Sequence, residues 1–168
     1  MSPPLPFDPI DEAGRQWDTH WGSDATAAMR AVTSIMRAHQ ILLGRLNDEL
    51  RPWGLTFPRY EALLLLHYSR NGALPLGKMG TRLQVHRASV TNVVDRLVAD
   101  GLVERRPHDQ DRRTTLAAIT EEGRRVAVQS TEALNAAGFG IAPLGDREAD
   151  EVFRLLRGLR AQAGDFQD

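Results

Sequence analysis

Between residues 87 and 96 the sequence carries side chains whose types and spacing suit the reading of DNA bases. Apolar residues recur there at i, i+3, i+4, i+7 and i+8, so one face of a helix is predicted to be buried; they are Val90, Val93, Val94, Leu97 and Val98. The opposite face is small and hydroxylic, whereas exposed helix faces usually favour Glu, Lys and Gln. Such a face fits a DNA major groove, the alternative being an ordinary amphipathic helix with a solvated polar face. We expect five residues to meet bases and phosphates: Arg87, Ser89, Thr91, Asn92 and Arg96.

Catalytic and metal-binding patterns are scarce in the sequence. The five histidines form no His-x-x-x-His pair and there is no cysteine, so a structural zinc site is not expected. No glycine-rich phosphate loop follows a strand-like segment, and no nucleophile elbow is present. We therefore expect a protein that is not an enzyme and that needs no cofactor.

The segments before and after the helix predicted at residues 87–96 indicate a larger structural motif. Residues 102–107 and 113–119 read as two strands, and the polar connection between them predicts a β-hairpin. Residues 74–83 are predicted to form the preceding helix, with 84–86 as the turn. Two helices followed by a hairpin with arginines at its tip predict a winged helix-turn-helix, whose second helix enters the major groove and whose wing reaches the minor groove. We expect Arg112 and Arg113 to contact the minor groove.

Several short segments of the sequence together form a pattern that is typical of one protein family. They are Gly54-Leu55-Thr56, Ser89-Val90-Thr91, Val94-Asp95-Arg96-Leu97, Gly101-Leu102-Val103-Glu104-Arg105, and Asp111-Arg112-Arg113 followed by Leu116, Ile119-Thr120 and Gly123. In these residues the chain resembles the MarR family of transcriptional regulators, over about residues 25–153. The resemblance implies a homodimer that binds a pseudo-palindromic operator in double-stranded DNA, and many members of the family release DNA when a small, often anionic or phenolic, molecule binds. We expect a repressor, with an activator as the alternative that the sequence leaves open. The resemblance also implies that Arg113 enters the minor groove and that Asp111 orients it. His86 departs from the family pattern, which has a Ser or Thr helix cap at this position.

Helices flank the winged segment on both sides. Residues 24–50 carry an apolar stripe at steps of three and four, wide enough to pack on both its own domain and a partner subunit; it comprises Met29, Val32, Met36, His39, Leu43, Leu46 and Leu50. Residues 57–70 are predicted to form another helix, with Thr56 as its cap. Thr120 is predicted to cap a helix that ends near residue 137, and Asp146 to cap the last one. The predicted fold is mainly α with a small β-hairpin wing: an N-terminal extension over 1–23, then one domain over 24–168, with the winged helix-turn-helix at about 55–120 and dimerisation helices at about 24–50 and 120–165.

Five residues are candidates for binding a small-molecule effector. A short helix predicted over residues 11–21 resembles one in the urate-responsive branch of the family, where it supplies a tryptophan to the pocket; Trp21 would be that residue, unless the tryptophans only cover the dimer core. Tyr60 and Glu61 resemble an aromatic–acid pair of the same branch, and Arg59 (or Arg37) can bind a carboxylate bidentately. His39 is either a hydrogen-bonded interior or interface histidine, or a ligand contact that responds to pH.

Composition sets broad limits on the function. The chain has 168 residues and a net charge of −1, which argues weakly against a nucleic-acid binder. The charge is uneven, because residues 76–125 hold ten Lys and Arg against seven acids, a net +3, while residues 1–50 hold four Arg against seven acids, a net −3. The lack of cysteine, of a signal-like segment and of a long apolar run predicts a cytoplasmic protein with no membrane partner. Two alternatives remain: a winged helix that only docks proteins, and a ligand sensor that has lost DNA binding.

Overall fold

The computed structural model describes residues 4–108 and 114–167. The predicted mainly helical fold with a small antiparallel sheet is confirmed. The helices are α1 Pro9–Trp21, α2 Thr26–Leu50, α3 Phe57–His67, α4 Leu76–Leu83, α5 Arg87–Ala99, α6 Glu121–Ala136 and α7 Asp146–Gln162; the strands are β1 Ala73–Pro75, β2 Val103–Pro107 and β3 Thr115–Ile119. Short 3-10 turns occur at Arg51–Trp53 and Gly138–Gly140.

The chain divides into two compact units, residues 1–44 and 45–168, with the boundary inside α2. In the first unit, the Asp8 side chain caps α1 by accepting a hydrogen bond from the Ile10 amide at 2.8 Å. Gly14 is buried because the Arg30 guanidinium crosses α1 at that point, where a Cβ would collide with it. The Thr26 hydroxyl, at the start of α2, donates to the Asp18 carboxylate. These contacts fix α1 against the beginning of α2.

The second unit has its hydrophobic core between α3, α5, α6 and the sheet. The largest side chains with no exposed surface include Leu50, Leu63, Leu66, Met79, Leu97 and Leu134. On α5 the predicted apolar face is the buried one, since Val90, Val94 and Leu97 are buried and Val93 and Val98 pack against the core. The polar face of α5 is therefore turned outward by the packing of the opposite one.

The sheet has three antiparallel strands in the order β1-β3-β2. Strand β2 pairs with β3 in antiparallel register: Val103 lies opposite Ile119 at one end and Pro107 opposite Thr115 at the other, as the hairpin prediction requires. Strand β1 corrects the prediction of a helix over residues 74–83, because Ala73–Pro75 pair with β3 and α4 begins only at Leu76. Proline lacks an amide hydrogen and is tolerated on an edge strand, so Pro75 ends β1 and precedes α4.

Among the predicted helix caps, Thr56 is confirmed in position but not in a side-chain bond, and Asp146 is corrected. Thr56 occupies the N-cap position of α3 with extended backbone, but its side chain makes no capping hydrogen bond; the Phe57 amide instead donates to Asn47 Oδ1 at 2.8 Å. The N-cap of α7 is Gly145, which leaves Asp146 as the first helical residue. Thr120 does cap α6, since its hydroxyl oxygen accepts from the Gly123 amide at 2.9 Å. Within residues 4–108 and 114–167, no helix combines the length and the hydropathy needed to cross a membrane.

Candidate nucleic-acid interface

The turn between α4 and α5 has a defined backbone geometry. Gln84 ends α4 in the left-handed region, with φ 53° and ψ 38°, and its side-chain amide donates to the Thr81 carbonyl at 3.2 Å. The Val85 amide donates to the Gly80 carbonyl at 3.1 Å. A Cβ at Gly80 would lie 3.3 Å from the Val85 carbonyl oxygen, so the two helices approach closely there. The turn thus fixes the angle at which α5 leaves α4.

His86 is the N-cap of α5, at the position where the family pattern has Ser or Thr. Its Nδ1 accepts from the Ala88 amide at 3.5 Å, a long and therefore weak hydrogen bond. A side-chain cap is thus present but weaker than a hydroxyl cap at normal distance. The next two amides, those of Ser89 and Val90, both donate to the His86 carbonyl at 2.9 and 3.2 Å, so they already have partners within the helix.

Four of the five predicted recognition-helix residues are exposed: Arg87, Ser89, Asn92 and Arg96. Thr91 differs, because it is half-buried and its hydroxyl donates to the Arg87 carbonyl at 3.1 Å within the helix. The structure therefore brings these side chains together on one helix, with Thr91 at the edge of the exposed face. Arginine and asparagine are the side chains that pair bidentately with guanine and adenine in the major groove.

Two acids, one within α5 and one directly after its C-terminal end, each bind an arginine of a neighbouring element. The Arg105 guanidinium on β2 donates to Asp95 Oδ1 at 2.7 Å, and the Arg59 guanidinium on α3 donates to Asp100 Oδ2 at 2.8 Å. These pairs connect α5 to the base of the wing at one point and to α3 at another. Arg105 was not predicted as part of the site, although the two-residue period of a strand puts it on the same face of β2 as the buried Val103.

An open cleft of about 490 Å³ lies where α4 and α5 meet. Its lining is made of small and polar residues from the helix-turn-helix: Gly77, Gly80, Thr81, Gln84, Val85, His86 and Arg87. The cleft adjoins the start of α5, so Thr81, Gln84 and His86 extend the exposed polar surface beyond the predicted residues. The sequence predicted 84–86 as the turn but did not assign Thr81, Gln84 or His86 to the DNA-binding surface.

The tip of the wing lies outside the described residues. The Pro107 and Thr115 pair ends the ladder of β2 and β3, and the His108 amide still donates to the Thr114 carbonyl at 3.1 Å. Asp111, Arg112 and Arg113 fall in the segment 109–113, so their assignment to the minor groove stays a prediction. The strands that lead to them are in the arrangement that a wing needs.

The three effector candidates on α3 contact different neighbours. Arg59 is bound to Asp100, as described above. The Tyr60 ring is buried and its hydroxyl lies 3.1 Å from Thr131 Oγ1 on α6. Glu61 is on the surface, and desolvation by the surrounding protein raises the pKa of its carboxyl. In the structure these three neighbouring side chains therefore have different surroundings.

The other two effector candidates belong to the first unit. Trp21 is 76% exposed, and its ring centroid lies 6.4 Å from that of Trp17 in a tilted arrangement. His39 is exposed on α2. Their roles in effector binding, like those of the residues on α3, stay predictions.

In the second unit, α4, the turn and α5 form a helix-turn-helix. It lies beside the three-stranded sheet, whose strands β2 and β3 form the wing. This is the arrangement of a winged helix-turn-helix protein. The model of the MarR family matches residues 55–115. The crystal structure of Sco5413, a MarR family transcriptional regulator from Streptomyces coelicolor, is 51% identical to this chain; the match covers 84% of this chain and 99% of that one, with a TM-score of 0.78. The chain belongs to the MarR family.

Two further comparisons agree with this assignment. The HTH-type transcriptional regulator MhqR of Bacillus subtilis is 33% identical over 89 residues, which are 53% of this chain and 60% of MhqR. This chain therefore matches less than two thirds of the length of that curated relative. A point mutant of MarR from E. coli, complexed with operator DNA, shares the fold at 22% identity, with a TM-score of 0.71 over 81% of this chain and 97% of that one. These relatives are transcriptional regulators, which are not enzymes.

Proposed function

We propose that the protein is a sequence-specific DNA-binding repressor. It binds a pseudo-palindromic operator as a homodimer and releases it when a small ligand, such as an organic anion, binds. The observation that carries this proposal is the exposed polar face of α5, where Ser89, Asn92 and Arg96 project from a helix whose opposite face is locked into the core. The complex of E. coli MarR with operator DNA supports the proposal through the shared fold.

The homodimer is supported by apolar surface on α7. This helix has no buried residue, and the exposed fractions of Val152, Leu155 and Leu159 are 44%, 74% and 58%. Uncovered apolar area of this kind on a helix marks an interaction site. The charges of α7 fit pairing with a second copy of itself in antiparallel orientation, since acids dominate its first half and arginines its second. On a pseudo-palindromic operator the two α5 helices of the homodimer would lie about 34 Å apart, one turn of the duplex.

The same apolar exposure occurs separately in the first unit. On α2, Val32 is 60% exposed and Met36 is 57% exposed. Both belong to the stripe from which the sequence predicts packing against a partner subunit. We infer that residues 24–50 and 120–165 supply the dimerisation helices.

Recognition by α5 is tested with Asn92→Ala and a matched control, Asn135→Ala, at an exposed position of α6. A bidentate contact between asparagine and adenine discriminates by about 1–3 kcal/mol, and the dimer makes it in both half-sites, so Asn92→Ala should weaken binding to the operator by about 2–6 kcal/mol, which is about 30-fold or more. Asn135→Ala should bind like the wild type. Footprinting of DNA flanking the protein's own gene supplies the operator, and equal affinities of the two variants would contradict the proposed role of α5.

The wing is tested with Arg113→Ala. We expect a large loss of operator affinity with an unchanged far-ultraviolet circular dichroism spectrum, because minor-groove arginine contacts contribute to binding and not to the core. Wild-type affinity in this variant would rule out the wing role while leaving the assignment of α5 intact.

A further inference from the structure

Asp95 occupies an unexpected place for an acid. Ala88, Asn92 and Asp95 follow one another at i, i+4 and i+7, so they form one row along the exposed face of α5. If Asn92 meets a base, Asp95 lies near the DNA as well. An unpaired carboxylate there would repel the phosphates, and its presence on this face needs a physical reason.

The reason lies in its partner on the wing. Arg105 shares a face of β2 with Val103, and its Nη2 lies 2.7 Å from Asp95 Oδ1. The two side chains are 35% and 58% exposed, and ion pairs this exposed add little to folding stability. The pair is better explained by what it does to Arg105 than by what it adds to the fold.

The junction of α5 and β2 is where the DNA backbone would pass. When a recognition helix occupies the major groove and a wing the adjacent minor groove, the phosphates that separate the two grooves run past the base of the wing. A cation that is free to move there can bind the phosphates of any duplex, because such contacts are independent of sequence.

We propose that Asp95 determines specificity by holding the Arg105 guanidinium on the recognition helix, away from sequence-independent phosphate contacts. This inference rests on the proposed function. Asp95 thereby lowers the affinity for unrelated DNA more than the affinity for the operator, where Asn92 and its neighbours supply contacts to bases.

A second ion pair on the same strand provides the control. The Arg106 guanidinium binds Glu104 within β2, and these two residues lie on the face of the strand opposite Arg105. Glu104→Gln and Asp95→Asn each remove one negative charge that is paired with an arginine. They differ in whether the released arginine faces the recognition helix.

The experiment measures binding of wild type, Asp95→Asn and Glu104→Gln to the operator and to an unrelated duplex at about 50 and 200 mM salt. One additional phosphate contact in each subunit of the dimer steepens the dependence of log K on log salt by about 1.8, which is about 12-fold over this range. We expect this steepening, with tighter binding to the unrelated duplex, for Asp95→Asn only. The ratio of operator to unrelated affinity should fall, and the additional Arg105→Gln change should restore it.

A variant that removes both charges keeps the test decisive if Asp95→Asn folds poorly. Asp95→Ser combined with Arg105→Gln leaves neither a free cation nor an unpaired carboxylate, so its salt dependence on the unrelated duplex should match that of the wild type. Equal effects of Asp95→Asn and Glu104→Gln, or a shallower salt dependence in this double variant, would overturn the inference. A wild type that prefers neither duplex would instead refute the proposed function, so the two failures are distinguishable.

Discussion

Replacing Gly123 with alanine tests how the wing is attached to α6. Gly123 is in the first turn of α6, directly against the segment that leads into β2. A Cβ at this position would overlap the Leu102 carbonyl oxygen, and it would lie 2.9 Å from Ile119 Cγ1 and 3.0 Å from the Leu102 carbonyl carbon. Because the nearest atom belongs to the backbone, no side-chain rotation relieves the overlap.

The surrounding hydrogen bonds prevent α6 from moving aside freely. The Thr120 amide donates to the Leu102 carbonyl at 3.0 Å, and the Thr120 hydroxyl donates to the Gly101 carbonyl at 2.9 Å while it accepts from the Gly123 amide. A shift of α6 that accommodates the methyl group stretches or breaks these bonds. The base of the wing and the start of α6 therefore respond together.

The size of the effect follows from these contacts. Overpacking costs about 1–3 kcal/mol and the loss of two of these hydrogen bonds about 2 kcal/mol, while alanine gains about 1 kcal/mol over glycine in a helix. We expect the free energy of unfolding to fall by about 2–4 kcal/mol. That is a large part of the roughly 5–15 kcal/mol that holds a typical domain folded.

Urea denaturation followed by circular dichroism, at one fixed protein concentration, measures this loss. The matched control is Gly77→Ala in the first turn of α4, where a Cβ meets nothing within 4 Å. The control should leave the stability unchanged or raise it by up to about 1 kcal/mol. If Gly123→Ala proves as stable as Gly77→Ala, the close approach of α6 to Leu102 is refuted.

Three further predictions concern α3 and its contacts. Asn47→Ala should lower the free energy of unfolding by about 1 kcal/mol, because it removes the acceptor of the Phe57 amide; an unchanged urea midpoint would contradict this cap. Tyr60→Phe should also cost about 1 kcal/mol, and a double-mutant cycle with Thr131→Val should show coupling if the two hydroxyls are bonded. Since partial desolvation by the surrounding protein raises the pKa of the Glu61 carboxyl in the folded state, its contribution favours folding below its ordinary pKa and is lost as the pH rises through the raised value. In urea titrations across acidic pH, the stability of Glu61→Gln should therefore fall less than that of the wild type as the pH rises. The same fall in both proteins would refute the effect of desolvation on Glu61. Glu61→Gln should also change the response to effector while operator affinity stays the same.

Local periodicity is what made most of the fold predictable. The apolar repeat of α5 depends only on residues three and four apart, and it identified the buried Val90, Val94 and Leu97. The hairpin of β2 and β3 is also local. Strand β1 was missed because its three residues pair with β3 more than 40 positions later, and no short-range pattern encodes that pairing.

The α5 residues of the candidate site could be predicted from the sequence, but several contacts at the site could not. Sequence alone placed Ser89, Asn92 and Arg96 on the exposed face, where the structure has them. It did not predict that the Thr91 hydroxyl bonds within the helix or that Arg59 binds Asp100, because each depends on the distance to a particular neighbouring atom. The N-cap of α7 was missed because it depends on the backbone: Gly145 is extended, with φ −74° and ψ 170°, whereas Asp146 is already part of the helix.

Sequence-specific DNA binding is the central claim, and a titration of the wild-type protein tests it most directly. The DNA flanking the protein's own gene and an unrelated duplex of equal length would each be titrated at two salt concentrations. We predict salt-sensitive binding to the flanking DNA that is tighter than binding to the unrelated duplex by about a thousandfold or more. Equal affinity for both duplexes at both salt concentrations would contradict it.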